Sequence, residues 1–246
     1  MATQDVAFKL GPDVLLKPRR ERGLMHDKII IIDNEEVWLG SANLTRDSLT
    51  THANLMIGIQ SKALAQQIEE KIATMLARKR SKTQPIMLHS SEQTIQLFFF
   101  PDHPDGLKQL QRTLQTAQKT IKVALFTFTY RPLIDELIAA HNRGIDVTCV
   151  IDEESSKRTS KQAFIQLKKA GVKVYISSRV GLLHHKMAIV DDTILAVGSA
   201  NWTKAAFFSN DDNLCFLTGL TDEQQKVLRV LWNTTMSEAK ASFSIR

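Results

Sequence analysis

One pattern is written twice in this chain. MHDKIIIIDNEEVWLGSANLT runs from Met25 to Thr45, and HHKMAIVDDTILAVGSANWT from His184 to Thr203, with His26 and His184 lying 158 residues apart. A repeat of that length constrains the fold more than composition does, because each copy has to build the same supersecondary unit. Each copy reads as a strand (HDKIIII, HHKMAIV), an Asp-Asn or Asp-Asp turn, a second strand (VWLGS, ILAVGS) and the start of a helix. A further strand (NLMIGI, NLCFL) and a closing helix (62–80, 222–240) follow each.

The surroundings of the two copies differ. From Thr94 onward strands alternate with helices. TIQLFFF, TIKVALFTFT, IDVTCVI and VKVYI read as strands, while 106–119, RPLIDELIAAHNRG and SKQAFIQLKKAG read as helices. In the first of these helices Leu107, Leu110, Leu114 and Ala117 share one face. This alternation predicts an α/β unit with a largely parallel sheet. Only 25 residues precede His26, so the first copy lacks counterparts of residues 94–171. The expected organisation is a partial N-terminal lobe over 1–80, a polar, basic linker over 81–93 and a complete lobe over 94–246. A second copy of the chain is one source for the missing elements, and a homo-oligomer is the partner reading that follows.

Within a strand, residues two apart share a face, so His26 with Lys28, and His184 with Lys186, each present an imidazole beside an ammonium. Asp27 and His185 face away. Gly40-Ser41-Ala42-Asn43 and Gly198-Ser199-Ala200-Asn201 fall where a strand hands over to a helix, with glycine for a tight bend and Ser and Asn as short donors beside helix-start amides that favour an anion. Two such sets facing each other fit a phosphodiester. The Lys and Asn side chains neutralise its oxygens, one His attacks phosphorus and the other protonates the leaving oxygen. The set holds no carboxylate cluster, so neither a metal nor another cofactor is expected.

Both copies satisfy HxKxxxxDxxxxxxGSxN, and in this the chain resembles the phospholipase D superfamily. The second copy is similar to the small bacterial endonuclease and mitochondrial-type branch. The resemblance implies two phospholipase D-like α/β lobes related by a pseudo-twofold, the first abbreviated, and metal-independent cleavage through a phosphohistidine. It also implies roles for the residues twenty-eight positions after each motif histidine. Asp212 is the acidic residue expected beside His184, and Asn54 takes the corresponding place beside His26. A carboxylate favours an imidazolium and an amide does not, which makes His184 the expected acid and His26 the expected nucleophile.

Asp33 and Asp191 read as turn and salt-bridge residues, with Gly40 and Gly198 as structural companions. His52, His89, His103 and His141 read as structural or exposed. Lys157 and Arg158, after a strand end, and Arg19 and Arg20, in KPRRER, are the candidate substrate contacts. Lys and Arg number 32 against 26 Asp and Glu, and the net charge of +6 favours anionic partners without choosing among them. Phospholipid ranks first as substrate, with peripheral membrane contact, and DNA or RNA second. The rival of another class is an inactive or partner-dependent binding module. Cys149 and Cys215, the two cysteines, lie in apolar runs and read as buried thiols. Neither a signal-type apolar core nor a membrane-length apolar run occurs, so the default expectation is cytoplasmic.

Overall fold

The computed structural model describes residue 14 and residues 23–77, 84–90 and 92–241. Arg19, Arg20 and the rest of KPRRER lie outside these. The first copy folds as β1 (Ile29–Ile32), β2 (Glu36–Gly40), α1 (Arg46–Thr50), β3 (Met56–Gln60) and α2 (Lys62–Leu76). The second folds as β9 (Lys186–Val190), β10 (Ile194–Gly198), α7 (Lys204–Phe208), β11 (Asp212–Thr218) and α8 (Asp222–Ser237). Each motif is thus an antiparallel hairpin. Its turn carries two successive positive-φ residues, Asp33 and Asn34 at +53° and +54° and Asp191 and Asp192 at +51° and +57°. Such turns match the strand twist, and Asp and Asn tolerate that backbone better than most side chains.

Between the copies run β4 (Ile86–His89), β5 (Thr94–Phe100), α3 (Asp105–Gln115), β6 (Thr120–Leu125), α4 (Arg131–Asn142), β7 (Asp146–Ile151), α5 (Glu153–Lys157), α6 (Lys161–Lys169) and β8 (Lys173–Ser177), and β12 (Ala239–Ala241) ends the fold. One sheet is three-stranded, β1-β2-β3, and the other nine-stranded, in the order β12-β8-β7-β6-β9-β10-β11-β5-β4. The expectation of a largely parallel sheet is corrected here. Among the described strands only β6 with β7 and β7 with β8 pair in parallel, since these are neighbours joined by helical crossovers, while hairpins and returns make the remaining pairings antiparallel. The expected linker over 81–93 is corrected too, since 86–89 form a strand paired with β5.

The large sheet is covered on both faces. Leu110, Leu114, Leu133, Leu137, Phe164 and Leu167, from α3, α4 and α6, pack on one face with Val123, Phe128 and Trp202. On the other, Val37 and Leu39 of β2 and Leu64, Ala65 and Ile68 of α2 join Leu97, Phe99, Met187, Leu195, Cys215 and Trp232. The small sheet and its helix therefore lie against the large sheet, which brings the two motifs together. Cys149 and Cys215 are free thiols with no exposed surface.

The described parts of the two halves differ at their surfaces. In the second half β9 pairs with β6 and β11 with β5, whereas among the described residues β1 and β3 have no such outer partners. Leu44 and Leu49 are 71% and 62% exposed, while Trp202 and Phe207, their counterparts in the repeat, are 1% exposed. Trp202 and Phe207 pack edge-on against Phe128 and Phe100, which lie in the segment between the two copies. Among the described residues no helix is long and apolar enough to cross a membrane.

Gly198 and Gly40 sit at equivalent close approaches. A Cβ on Gly198 would stand 2.3 Å from the Asn213 carbonyl, and one on Gly40 2.1 Å from that of Leu55. The Asn213 carbonyl accepts from the Ser199 and Ala200 amides, so it cannot move aside freely. Gly198→Ala is expected to destabilise the fold by about 1–3 kcal/mol, measured as a lower denaturation midpoint at unchanged m-value.

Candidate active site

The pseudo-symmetry is sharpest where the two copies touch. The segment entering each motif strand bridges in parallel to the segment entering the other copy's third strand, Met25 with Asp211 and Ala53 with Leu183. The His26 amide donates to the Asp211 carbonyl and the His184 amide to that of Ala53, both at 2.8 Å. These bridges place each motif histidine beside a residue of the opposite copy.

The expected pairing of Asp212 with His184 and Asn54 with His26 is therefore corrected: the partners are crossed. His26 Nδ1 lies 2.7 Å from Asp212 Oδ1, and His184 Nδ1 lies 3.0 Å from both Asn54 Oδ1 and the Ser41 carbonyl. In both rings Nδ1 faces acceptors, so it carries the proton and Nε2 keeps its lone pair. The orientation of the Asn54 amide follows from its own bonds, since Nδ2 donates to the Ser48 carbonyl at 2.7 Å. Spacing along one strand could not reveal this exchange, because it depends on contacts across the pseudo-twofold.

Ser41 and Ser199 have no exposed surface, and their hydroxyls are engaged inward. Ser41 Oγ donates to Asn54 Oδ1 at 2.9 Å and accepts from the Leu55 amide, while Ser199 Oγ donates to Asp212 Oδ1 at 2.7 Å and accepts from the Asn213 amide. The expectation of free donors for an anion is corrected for these two; they hold the residues that hold the imidazoles. Asn43 and Asn201 follow them at the mouths of α1 and α7. The Asn43 amide bonds to Ser48 Oγ, and Asn201 Oδ1 is buried without a partner.

Both lysines fold back onto their own strands. Lys28 Nζ donates to the His26 carbonyl and Lys186 Nζ to the His184 carbonyl. Lys186 is 1% exposed and its ammonium lies 5.3 Å from the centre of the Phe126 ring. Burial lowers the Lys28 pKa to about 8, against the opposing pull of Asp212 and Asp27, and carries that of Lys186 well below the usual lysine range. Burial, then the ammonium groups of Lys186 and Lys28, push His184 down to about 3. Desolvation thus disfavours positive charge on this side of the site, while on the His26 side Asp212, fully buried, offers a counter-charge.

Of the remaining candidates, Asp191 anchors its turn by accepting from the amides of Gln118, Lys119 and Thr120, each at 2.8 Å. The ion pair at that turn belongs to its neighbour, Asp192 with Lys122. Asp33 sits at the equivalent exposed turn. Lys157 and Arg158 line a cleft of about 540 Å³ with Asp152, Arg179 and Gly181, but each is paired with a glutamate, Glu153 and Glu154 respectively. Two neighbours escaped the sequence reading. Phe126 and His52 lie with ring centres 5.0 and 6.2 Å from His184, and His52 Nδ1 is buried without a partner. His52 stands two residues before Asn54, a signal that becomes readable only once Asn54 is known to touch His184. Among the described residues no cluster of three or more His, Cys, Asp or Glu could hold a metal ion.

Two imidazoles presented by twin hairpins above buried lysines define a phospholipase D-like site, and the family comparison agrees. The family model described as "Cardiolipin synthase, PLD-like domain" matches residues 5–76 and 110–233, and the chain belongs to this phospholipase D-like family. It is similar to the mitochondrial cardiolipin hydrolase of Xenopus laevis, at 32% identity over 134 residues, which is 54% of this chain and 63% of that protein. It is also similar to the solved phospholipase D family member Nuc from Salmonella typhimurium, at 26% identity and TM-score 0.57, over 62% of this chain and all of that one. The phosphatidylserine synthase of Haemophilus influenzae shares the fold over 89% of this chain and 63% of its own, with TM-score 0.69 at 12% identity. The chain spans about half to two thirds of the length of the mitochondrial cardiolipin hydrolases it matches.

Proposed function

We propose that the protein is a phosphodiesterase of phospholipase D type, acting through a phosphohistidine on His26, with phospholipid as substrate. The observation that carries this reading is the pair of imidazoles with Nδ1 tied to acceptors and Nε2 free, one backed by a carboxylate and the other by an amide and a carbonyl. As the anionic phosphate binds, His184 takes up a proton from solvent at Nε2; His26 Nε2 then attacks phosphorus, and the bond to the leaving oxygen breaks as that oxygen takes this proton from His184 Nε2. Because Nδ1 keeps its proton, the phosphorylated ring is cationic, and Asp212 offsets that charge. Among the described residues no carboxylate serves His184, and burial with Lys28 and Lys186 opposes charge there, which suits a group that gives up its proton readily. The anionic phosphate between the lysines offsets their effect while His184 holds that proton. Water then gives a proton to His184 and attacks phosphorus, and the bond from phosphorus to nitrogen breaks.

Likeness to a cardiolipin hydrolase supports phospholipid over nucleic acid. So do the exposed apolar side chains next to the site, Leu24 and Met25 before His26 and Leu44 and Leu49 after Asn43. The test uses vesicles of phosphatidylcholine or cardiolipin, single-stranded DNA and RNA, each with chelator and with a primary alcohol. The expected product is a phosphatidyl alcohol, formed when the alcohol replaces water at the phosphohistidine. Cleavage of single strands that weakens steeply with salt, with no phosphatidyl alcohol, would transfer the reading to nucleic acid.

The alkaline side of the pH profile should report Lys28. Its ammonium is the form that holds phosphate, and with a pKa near 8 it is lost as pH rises through that value. kcat/KM is expected to fall above about pH 8, and Lys28→Arg to move that limb upward because a guanidinium stays charged. A flat parent profile from pH 7 to 10 would contradict this.

A further inference from the structure

We propose that Asp27 and Asn213 form a carboxylic acid–amide pair, and that the protonated Asp27 is a positioning residue holding the β11 segment, and with it Asp212, against His26. The catalytic part of this proposal rests on the function proposed above; the pairing itself does not.

Asn213 Nδ2 donates to Asp27 Oδ1 at 2.8 Å, while Asn213 Oδ1 is buried without a partner. Asn213 has no exposed surface, so that acceptor cannot turn to water. A buried carbonyl oxygen left unmatched is destabilising, and a carboxylic acid removes that cost. Its carbonyl oxygen accepts from the amide while its hydroxyl donates to the amide oxygen, closing a ring of two hydrogen bonds that a carboxylate cannot make.

The charges around Asp27 come from three directions. Asp212 stands on β11, Lys28 is the next residue but folds toward the His26 carbonyl, and Lys71 on α2 is engaged by Asp102 at 2.5 Å. Burial is the main cause raising the Asp27 pKa to about 7; the Asn213 amide lowers it, Asp212 raises it, and Lys28 and Lys71 lower it. The second copy has no equivalent pair, since the counterparts of Asp27 and Asn213 are His185 and Leu55. The device therefore belongs to the His26 side alone. Asn213 is tied into that side, because its backbone N–H donates to Ser199 Oγ, which donates to Asp212.

The test begins on the parent protein, without substrate. Infrared difference spectra between pH 5 and pH 9 should show a protonated-carboxyl band that titrates near 7 and is absent from Asp27→Asn. The folded state holds this proton more tightly than the unfolded chain, so the contribution to stability is full at acid pH and is lost as pH rises through about 7. Asp27→Asn, which keeps both hydrogen bonds without a charge, should lack that loss and retain parental kcat with a flatter profile around pH 7. Asp27→Ala should lose kcat on the order of 10- to 100-fold through misplacement of the imidazole, with KM little changed. Absence of a carboxyl band titrating between pH 5 and 9 in the parent, or equal losses in Asp27→Asn and Asp27→Ala, would overturn the proposal. A parent protein that shows the band but cleaves no phosphodiester would count against the proposed function and leave the pair standing.

Discussion

Replacing His26 by alanine is expected to abolish an acid-quenched phosphoenzyme and to lower turnover on the order of 10⁴- to 10⁶-fold. The size follows from the loss of the only route to the covalent intermediate, since nucleophile and acid act as one unit and their effects do not add. His184→Ala should be nearly as damaging with a poor leaving group but should still form the phosphoenzyme with a good one, because a good leaving oxygen needs no proton. Phosphorus-labelled substrate, rapid quench and mapping of the labelled peptide decide between the two rings. Label on His184 in the parent protein would reverse the roles. The structural reason for expecting His26 is charge: attack by Nε2 leaves a cationic ring, and among the described residues a carboxylate stands at hydrogen-bond distance from His26 but not from His184.

The second large effect is expected at the crossed partners. Asp212→Asn removes the counter-charge from His26 and can present an amide N–H where an acceptor is required, which disfavours the tautomer with a free Nε2. A loss of about 10³- to 10⁴-fold in kcat is expected, on the scale seen when the carboxylate behind a catalytic imidazole becomes an amide. Asn54→Asp acts on the other ring. It places a carboxylate beside His184 Nδ1 and should raise that imidazole from about 3. A rate limb that follows the proton on His184 should then move to higher pH. Two coupled imidazoles titrate as a unit, so the direction of movement is the readout. If Asp212→Asn moved only features belonging to His184, the crossed arrangement would be wrong.

The first substitution also reaches beyond the imidazole. Asp212 Oδ1 accepts from Ser199 as well as from His26, so an amide there disturbs the turn that follows β10. Double-mutant cycles of Asp212→Asn with His26→Ala separate the two contributions, since the carboxylate's effect on catalysis should vanish once the ring is gone.

Much of this protein was determined locally. Apolar periodicity and turn chemistry specified both hairpins, their Asp-containing turns, and the buried face of α3 at Leu107, Leu110 and Leu114, because these depend on neighbours a few residues away. The repeat itself announced that His26, Lys28, His184 and Lys186 belong together. What no local rule contains is how one copy meets the other. The parallel bridges Met25 to Asp211 and Ala53 to Leu183 hand each motif histidine the residue of the opposite copy, so Asp212 serves His26 rather than His184. Ser41 and Ser199 look like exposed donors in sequence, yet tertiary packing turns both hydroxyls inward onto Asn54 and Asp212. The sheet's mostly antiparallel character likewise depends on which strands return beside which, and strand sequences alone do not encode their neighbours. Asp27 is the plainest case: it faces away from His26 and Lys28 in the strand pattern, and only the tertiary fold brings the Asn213 side chain, 186 residues later, to hydrogen-bond distance of its carboxyl group.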